Sequence, residues 1–212
     1  MGEDGEEMPY SYEMTHKNIL KSASEHFKSE GFREASIRSI CHDAGVTNGA
    51  FYAHFNSKED LFNDLVADAI EGLTKIYSDE EDKYEDVRNA EDIINAFKKT
   101  YLSTDKLIRY MCTQREALIL VVESSAGTAH EHFKDMLIEN EIESMKQFIA
   151  HCKPYVKSVE AISDNIIRLG TTFLIDSIFN GLKNGMTADE IIEEIKAVTE
   201  YCIAGYRKLM EI

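Results

Sequence analysis

The stretch Ile37–Phe55, IRSICHDAGVTNGAFYAHF, decides the fold. Ser36 precedes Ile37, Ile40, Cys41 and Ala44, an apolar spacing of two helical turns, and Gly45 closes it because glycine takes a left-handed backbone at low cost. Thr47 is then a good N-cap for a second short helix from Asn48 to Phe55. A short amphipathic helix, a turn glycine, an apolar residue directly after it and a second capped helix are the parts of a helix-turn-helix. The small side chains of Cys41 and Ala44 suit the point where the two helices cross. Ile37, Ile40, Val46 and Phe51 would fill the core between the pair and the helix before it.

Upstream, Ile19, Ala23 and Phe27 recur every four residues with Leu20 beside them, Thr15 is placed to cap that helix, and Gly31 to stop it. Residues 1–14 carry Glu3, Asp4, Glu6, Glu7 and Glu13 among Gly2, Gly5 and Pro9, too little apolar surface to offset chain entropy, and read as a flexible acidic arm. Downstream, Ser57 with Asp60 three residues on resembles a capping box, and Leu61, Phe62, Leu65, Val66, Ala69, Ile70 and Leu73 continue as one longer helix. Beyond the acidic stretch 79–86, helical patterns run over 90–102, 106–125, 128–152, 159–185 and 187–209. No alternating strand pattern interrupts them. The reading is all-α: an arm at 1–14, a three-helix DNA-binding domain at 15–57 and a larger helical domain at 58–212.

The 212 residues include 23 Lys and Arg against 39 Asp and Glu, a net charge of −16, with 43% hydrophobic residues and only 2 Pro. That profile fits a soluble helical protein with a sizeable core. The longest apolar run, Ala117–Val122, is far short of a membrane span, and the acidic N-terminus does not read as a secretion signal. Cys41, Cys112, Cys152 and Cys202 are scattered without a CxxC pair, so neither a zinc site nor a disulfide framework is expected, and the cysteines read as reduced, cytoplasmic thiols. Overall charge opposes binding to a polyanion. From Gly31 to Lys58, however, three cations face two carboxylates, so the motif itself is +1.

In register, Thr15–Leu20, Gly31-Phe32, Ser36-Ile37-Arg38, Ala44-Gly45-Val46-Thr47, Gly49, Phe51-Tyr52, His54-Phe55, Ser57-Lys58-Glu59 and Leu61 resemble the TetR-type transcriptional regulators. The resemblance covers Thr15 to about Ile70. It departs from the family pattern at Asn48, where Lys is common, at Ala50, where Thr is common, and at Cys41, where Ala is usual. It implies a three-helix DNA-binding head followed by a helical domain that forms a homodimer and holds an inducer, and a repressor released from its operator by a small molecule.

Helix-turn-helix proteins present the first turn of the second helix to base edges, with hydroxyls and cations around it on the phosphates. The expected backbone contacts are Ser36, Arg38, Thr47, Tyr52, His54 and Lys58. Base readout falls to Asn48, whose amide can pair with adenine, to the Gly49 backbone at close approach, and to Ala50 or Ala53 against a thymine methyl. Lys58 stands near a helix start, where a cation opposes the helix dipole, and a phosphate beside it would explain that placement.

Within the larger domain, Glu116 and Glu123 lie seven apart on an otherwise apolar helix. With Tyr101, Tyr110, Met111 and Phe133 they form a candidate wall for a cationic or hydrogen-bonding inducer, against the plainer reading of salt bridging or exposure. The last two helices, carrying Ile166, Leu169, Gly170, Phe173, Ile178, Ile195 and Cys202, form the candidate dimer surface. In the family the corresponding pair makes a four-helix bundle with its twin. A twofold pair would set two recognition helices about 34 Å apart and require a roughly palindromic operator. At −32 such a dimer would rely on its few clamps for affinity.

Two rivals stand beside this reading. An enzyme would need a catalytic constellation, and no P-loop, GxGxxG, HExxH or GxSxG occurs; His130 and His132, two apart, face differently on a helix and make a poor metal pair. The other is an acidic protein-interaction adaptor that keeps the fold and has lost DNA binding, a rival that the charge of −16 keeps open.

Overall fold

The computed structural model describes residues 12–78 and 87–212, and only the backbone of residues 78, 98 and 100–103. Among these residues every regular element is helical: α1 (Tyr12–Glu34), α2 (Ile37–Asp43), α3 (Asn48–Tyr52), α4 (Lys58–Ser78), α5 (Ala90–Thr113), α6 (Arg115–Glu123), α7 (Phe133–Cys152), a single tighter turn at Lys153–Tyr155, α8 (Asp164–Lys183) and α9 (Ala188–Met210). The expected all-α fold is the one observed. The residues of the acidic arm before Tyr12 lie outside the described part, and α1 begins at Tyr12, three residues before the cap expected at Thr15.

The chain forms two compact units. One contains the N-terminal helices to Asp68 together with Leu120–Glu131; the other contains Ala69–Ile119 and His132–Ile212. Helices α4 and α6 each contribute residues to both.

In the N-terminal unit the apolar spacing does what it predicts. Ile19, Ala23 and Phe27 of α1, Ile40 and Cys41 of α2, Phe51 of α3 and Leu61, Phe62 and Val66 of α4 are buried in one core. Gly31 takes a left-handed backbone (φ 78°) and breaks the helical path of α1, and Gly45 (φ 69°) makes the turn between α2 and α3. The Ser36 and Thr47 hydroxyls accept from the Ser39 and Ala50 amides as N-caps, so both short helices begin where the sequence indicates. The Ser22 hydroxyl donates to the Ile40 carbonyl at 2.9 Å inside this core, fixing α2 against α1.

In the second unit α5, α7, α8 and α9 pack together. The helix boundaries differ from the sequence reading: α5 runs unbroken through 102–106, and the break falls at Gln114 instead. The segment expected to open α7 at Thr128 is a turn, with Gly127 at φ 94° and α7 starting only at Phe133. Arg115 explains one contact no periodicity reveals. Its guanidinium donates to the carbonyls of Leu182 and Met186, and to that of Gly181 at 3.4 Å, so a cation closes the C-terminal end of α8, where the helix dipole favours it.

Candidate nucleic-acid interface and ligand cavity

Around α2 and α3 the residues divide by exposure. Arg38, Thr47, Asn48 and Gly49 are exposed, Ala50 is half-buried, and the Tyr52 ring is 60% exposed while its neighbour Phe51 is fully buried. Alternation of this kind follows from helical geometry: Phe51 faces the core and Tyr52, 100° around, faces out. Arg38, Asn48 and the Tyr52 hydroxyl make no hydrogen bond or ion pair among the described residues, so their donors face outward. The Ser36 and Thr47 hydroxyls are engaged as caps, with Ser36 Oγ also 2.7 Å from Ser39 Oγ, and keep their remaining capacity outward.

Two expected contacts sit elsewhere. The Lys58 ammonium is half-buried and donates to the carbonyls of Phe32 (2.6 Å), Arg33 (3.1 Å) and Ala35 (2.8 Å), with the Phe32 ring centroid 4.5 Å away. All three of its protons are thus committed to the C-terminal end of α1. The carbonyls left open by the break at Gly31, and not a phosphate, account for a lysine at the start of α4. Burial lowers its pKa from the ordinary lysine value.

His54 is likewise turned inward. Its ring lies 4.0 Å from that of Tyr12 and 5.5 Å from that of His16, and its Nδ1 is buried without a partner, as is Nδ1 of His16. Desolvation, with the nearby His16 adding to it, lowers the His54 pKa from the ordinary 6.5. A neutral ring packed on α1 is a structural wedge and a poor anion ligand.

Helix contacts that the sequence reading missed hold the head together. His26 bridges α1 and α2, with Nδ1 2.7 Å from Glu30 and Nε2 2.9 Å from Asp43, and these carboxylates raise its pKa. The segment after α6 joins the same unit. The Phe32 amide donates to the Ser124 carbonyl at 2.9 Å, Arg33 pairs with Glu131 at 3.3 Å, the Glu59 carboxylate accepts from the Ala129 amide, and His130 Nε2 lies 3.0 Å from the Asn63 oxygen.

The expected inducer wall is not where the cavity lies. Glu116 and Glu123 are exposed, in line with the plainer reading of those carboxylates. Met111 and Phe133 are buried as core. The Tyr110 hydroxyl donates to the Ala69 carbonyl at 3.3 Å, packed so closely on Gly72 that a Cβ there would fall 2.0 Å from it. The Tyr101 side chain lies outside the described residues. The second unit instead has a partly open cavity of about 130 Å³ whose wall includes Phe97, Glu141, Met145, Thr171, Ile178 and Tyr206. Glu141 carried a signal for it: it stands four residues from both Leu137 and Met145, on the apolar stripe of α7.

The candidate dimer surface separates in the same way. Leu169 is 71% and Phe173 48% exposed, with Ile166 half-buried beside them. Ile178 and Ile195 are buried in their own unit, Gly170 lies against the Tyr206 hydroxyl, and Cys202 lines the cavity. Ile178 and Ile195 therefore pack within the chain, while Gly170 and Cys202, both half-buried, also border Leu169 and Tyr201 on the outward face. Tyr201, 75% exposed on α9, joins the outward patch and was absent from the apolar stripe read along that helix.

Known proteins agree with this architecture. Residues 19–65 match the family described as bacterial regulatory proteins, tetR family. Over 52 residues the chain is 40% identical to the uncharacterized HTH-type transcriptional regulator YdgC of Bacillus subtilis, a stretch that takes in 24% of this chain and 27% of that relative. Among solved structures, NalD, the secondary repressor of the MexAB-OprM multidrug efflux pump in Pseudomonas aeruginosa, superposes with a TM-score of 0.55 at 22% identity, over 90% of this chain and 95% of that one. The transcriptional regulator FadR of Bacillus subtilis, solved with stearoyl-CoA, gives 0.52 at 14% identity, over 90% and 98%. At such identities the two structures share the fold alone. A helix-turn-helix head with a helical fold behind it is the arrangement this chain shares with these solved structures. The head of this chain, residues 19–65, is similar to that of the tetR-family regulators.

Proposed function

We propose that the protein is a homodimeric repressor that binds a palindromic operator through α2 and α3 and is released from it by a small molecule held in the second unit. The observation that carries this is the division within the helix-turn-helix: Ile40, Cys41, Phe51 and Phe55 are buried and Ile37 and Val46 half-buried, while Arg38, Asn48 and Tyr52 stand outward with no hydrogen bond or ion pair among the described residues. Asn48 and Gly49 would meet base edges, with Ala50 at a thymine methyl, and Ser36, Arg38, Thr47 and Tyr52 the phosphates. Lys58 and His54 support the head from inside. Leu169 and Phe173 of α8 with Tyr201 of α9, all exposed and apolar or aromatic, would meet the same patch of a second copy. Helices α4 and α6, each shared by both units, would carry the ligand's effect to the head, provided that the ligand binds the two states with different affinity. Such a protein works in the cytoplasm, where the DNA is, and needs no catalytic residue.

Binding to labelled DNA from upstream of its own gene, followed by anisotropy at two salt concentrations with scrambled DNA as competitor, tests the reading. Saturable, competitor-resistant and salt-sensitive binding that Arg38→Ala weakens is expected. Absence of any sequence preference, also after selection from random DNA, would overturn it in favour of the acidic adaptor.

A further inference from the structure

We propose that the His16–His54 pair, between α1 and the turn after α3, positions α3 only while both rings are neutral, so that mild acid opens α3 and disfavours operator binding. The inference rests on the DNA-binding reading above and adds a condition under which that reading operates. Its first support is polar satisfaction. Nδ1 of His16 and Nδ1 of His54 are both buried, and neither has a hydrogen-bond partner among the described residues. Nε2 of His16 lies 3.2 Å from the Asp64 carboxylate, which places the proton of the neutral ring on Nε2 and leaves Nδ1 a bare lone pair. A proton added to Nδ1 of either ring becomes a buried, charged donor with nothing to receive it. A second charge would stand across a ring-to-ring distance of 5.5 Å.

The neighbours do little to compensate. The His54 ring packs on Tyr12 at 4.0 Å, and the His16 ring stacks on Phe55 at 4.8 Å. On α1 the titratable groups that face the pair are Tyr12 and His16 itself, while Glu13 and Lys17, next to them in the chain, are exposed. On α4, Asp64 serves the other nitrogen of His16 and Asp68 stands one turn further on; Lys58 is turned to the carbonyls of α1, and Asp60 to Asn56. On α3, Tyr52 turns outward. Desolvation, with the neighbouring His16 adding to it, lowers the pKa of His54 from the ordinary 6.5, in keeping with a ring that stays packed by staying neutral.

Backbone bonds join the pair to the DNA-facing helix. The His54 and Phe55 amides donate to the Phe51 carbonyl at 2.9 and 3.0 Å, so the His54 ring secures the last turn of a helix five residues long. A helix that short is held in place by its packing, and it carries Asn48 and Tyr52. Protonation favours a displaced, solvated His54 ring by up to about tenfold at pH 5.5, since such a ring titrates near 6.5 and the packed one resists the proton.

Hydrogen exchange of the full-length protein at pH 7.5 and 5.5, corrected for the intrinsic rate, reads the population in which α3 is open. Protection of the amides of residues 51–55 is expected to fall about fivefold to tenfold in acid, while that of residues 19–27 in α1 is kept. His54→Phe, which fills the same space with a ring that does not titrate, should abolish the fall, and His54→Gln is a second non-titrating variant. Unchanged protection in the wild type, an equal fall in the variants, or a loss of protection throughout the head would overturn the proposal. Anisotropy on the DNA preferred in selection from random sequence reads the consequence. Relative to His54→Phe, the wild type should bind more weakly at the lower pH. An equal ratio at both pH values, or wild-type binding that tightens in acid through His54, would also overturn it, the latter making His54 a phosphate ligand. Exchange that behaves as expected in a protein without sequence preference at either pH would uphold the switch in the head and refute the DNA-binding reading.

Discussion

Lys58→Met separates two accounts of one residue. The sequence pattern assigns Lys58 to a phosphate; the structure commits its ammonium to three carbonyls at 2.6, 2.8 and 3.1 Å and sets it 4.5 Å from the Phe32 ring centroid. A hydrogen bond to a charged group contributes about 1.5–3 kcal/mol, but here three share one charge and the freed carbonyls are partly returned to water. The expected net loss is therefore about 2 kcal/mol, or roughly 4–8 °C in Tm for a chain of this size. Methionine keeps the length and the apolar stem, so packing changes little. Thermal and urea unfolding followed by circular dichroism give the stability, and anisotropy across a salt series gives the DNA term. If Lys58 caps α1, stability falls while the slope of log K against log salt is unchanged for the folded fraction. An unchanged Tm with a slope smaller by about 0.9 for each lysine removed would refute the capping argument and return Lys58 to the phosphate.

Other substitutions follow from the same geometry. Arg38→Ala should weaken binding to all sequences alike and lower the salt slope by about 0.9 per protomer, whereas Asn48→Ala should cost about 1–3 kcal/mol on the preferred operator alone, and selection from random DNA distinguishes the two. Two histidines give the head opposite pH dependences around the ordinary 6.5. The raised pKa of His26 means that its pairing with Glu30 and Asp43 stabilises fully below 6.5 and is lost as pH rises through the folded value, so His26→Gln should cost stability in mild acid and little in base. His54, with a lowered pKa, supports the fold above 6.5, and that support is lost as pH falls towards its folded value; His54→Gln should flatten the acid side of the Tm profile. Gly72→Ala should destabilise despite the better helix propensity of alanine, because its Cβ would fall 2.0 Å from the Tyr110 hydroxyl, and Tyr110→Phe should restore part of the loss in the double variant.

Sequence by itself determined the elements whose causes are local. The caps at Ser36 and Thr47, the left-handed turns at Gly31 and Gly45 and the four-residue spacing of Ile19, Ala23 and Phe27 act within a turn or two of chain, and the structure has each of them. The outward residues of the helix-turn-helix were legible for the same reason, since Phe51 and Tyr52 part company through helical geometry alone. Tertiary structure decided whatever depends on residues distant in the chain. Lys58 reaches α1, Arg115 closes α8 some seventy residues on, and Ser124–Glu131 joins the N-terminal unit although the chain is by then within the regulatory region. The cavity is the clearest case. Thr171, Tyr206 and Glu141 come from three helices, and an apolar stripe of α8 or α9 has the same pattern whether it meets its own unit, a ligand or a second copy. Only the packing of those helices shows that Ile178 and Ile195 turn inward and Leu169 and Phe173 outward, because burial is a property of the assembled fold and periodicity records only that some cover is required.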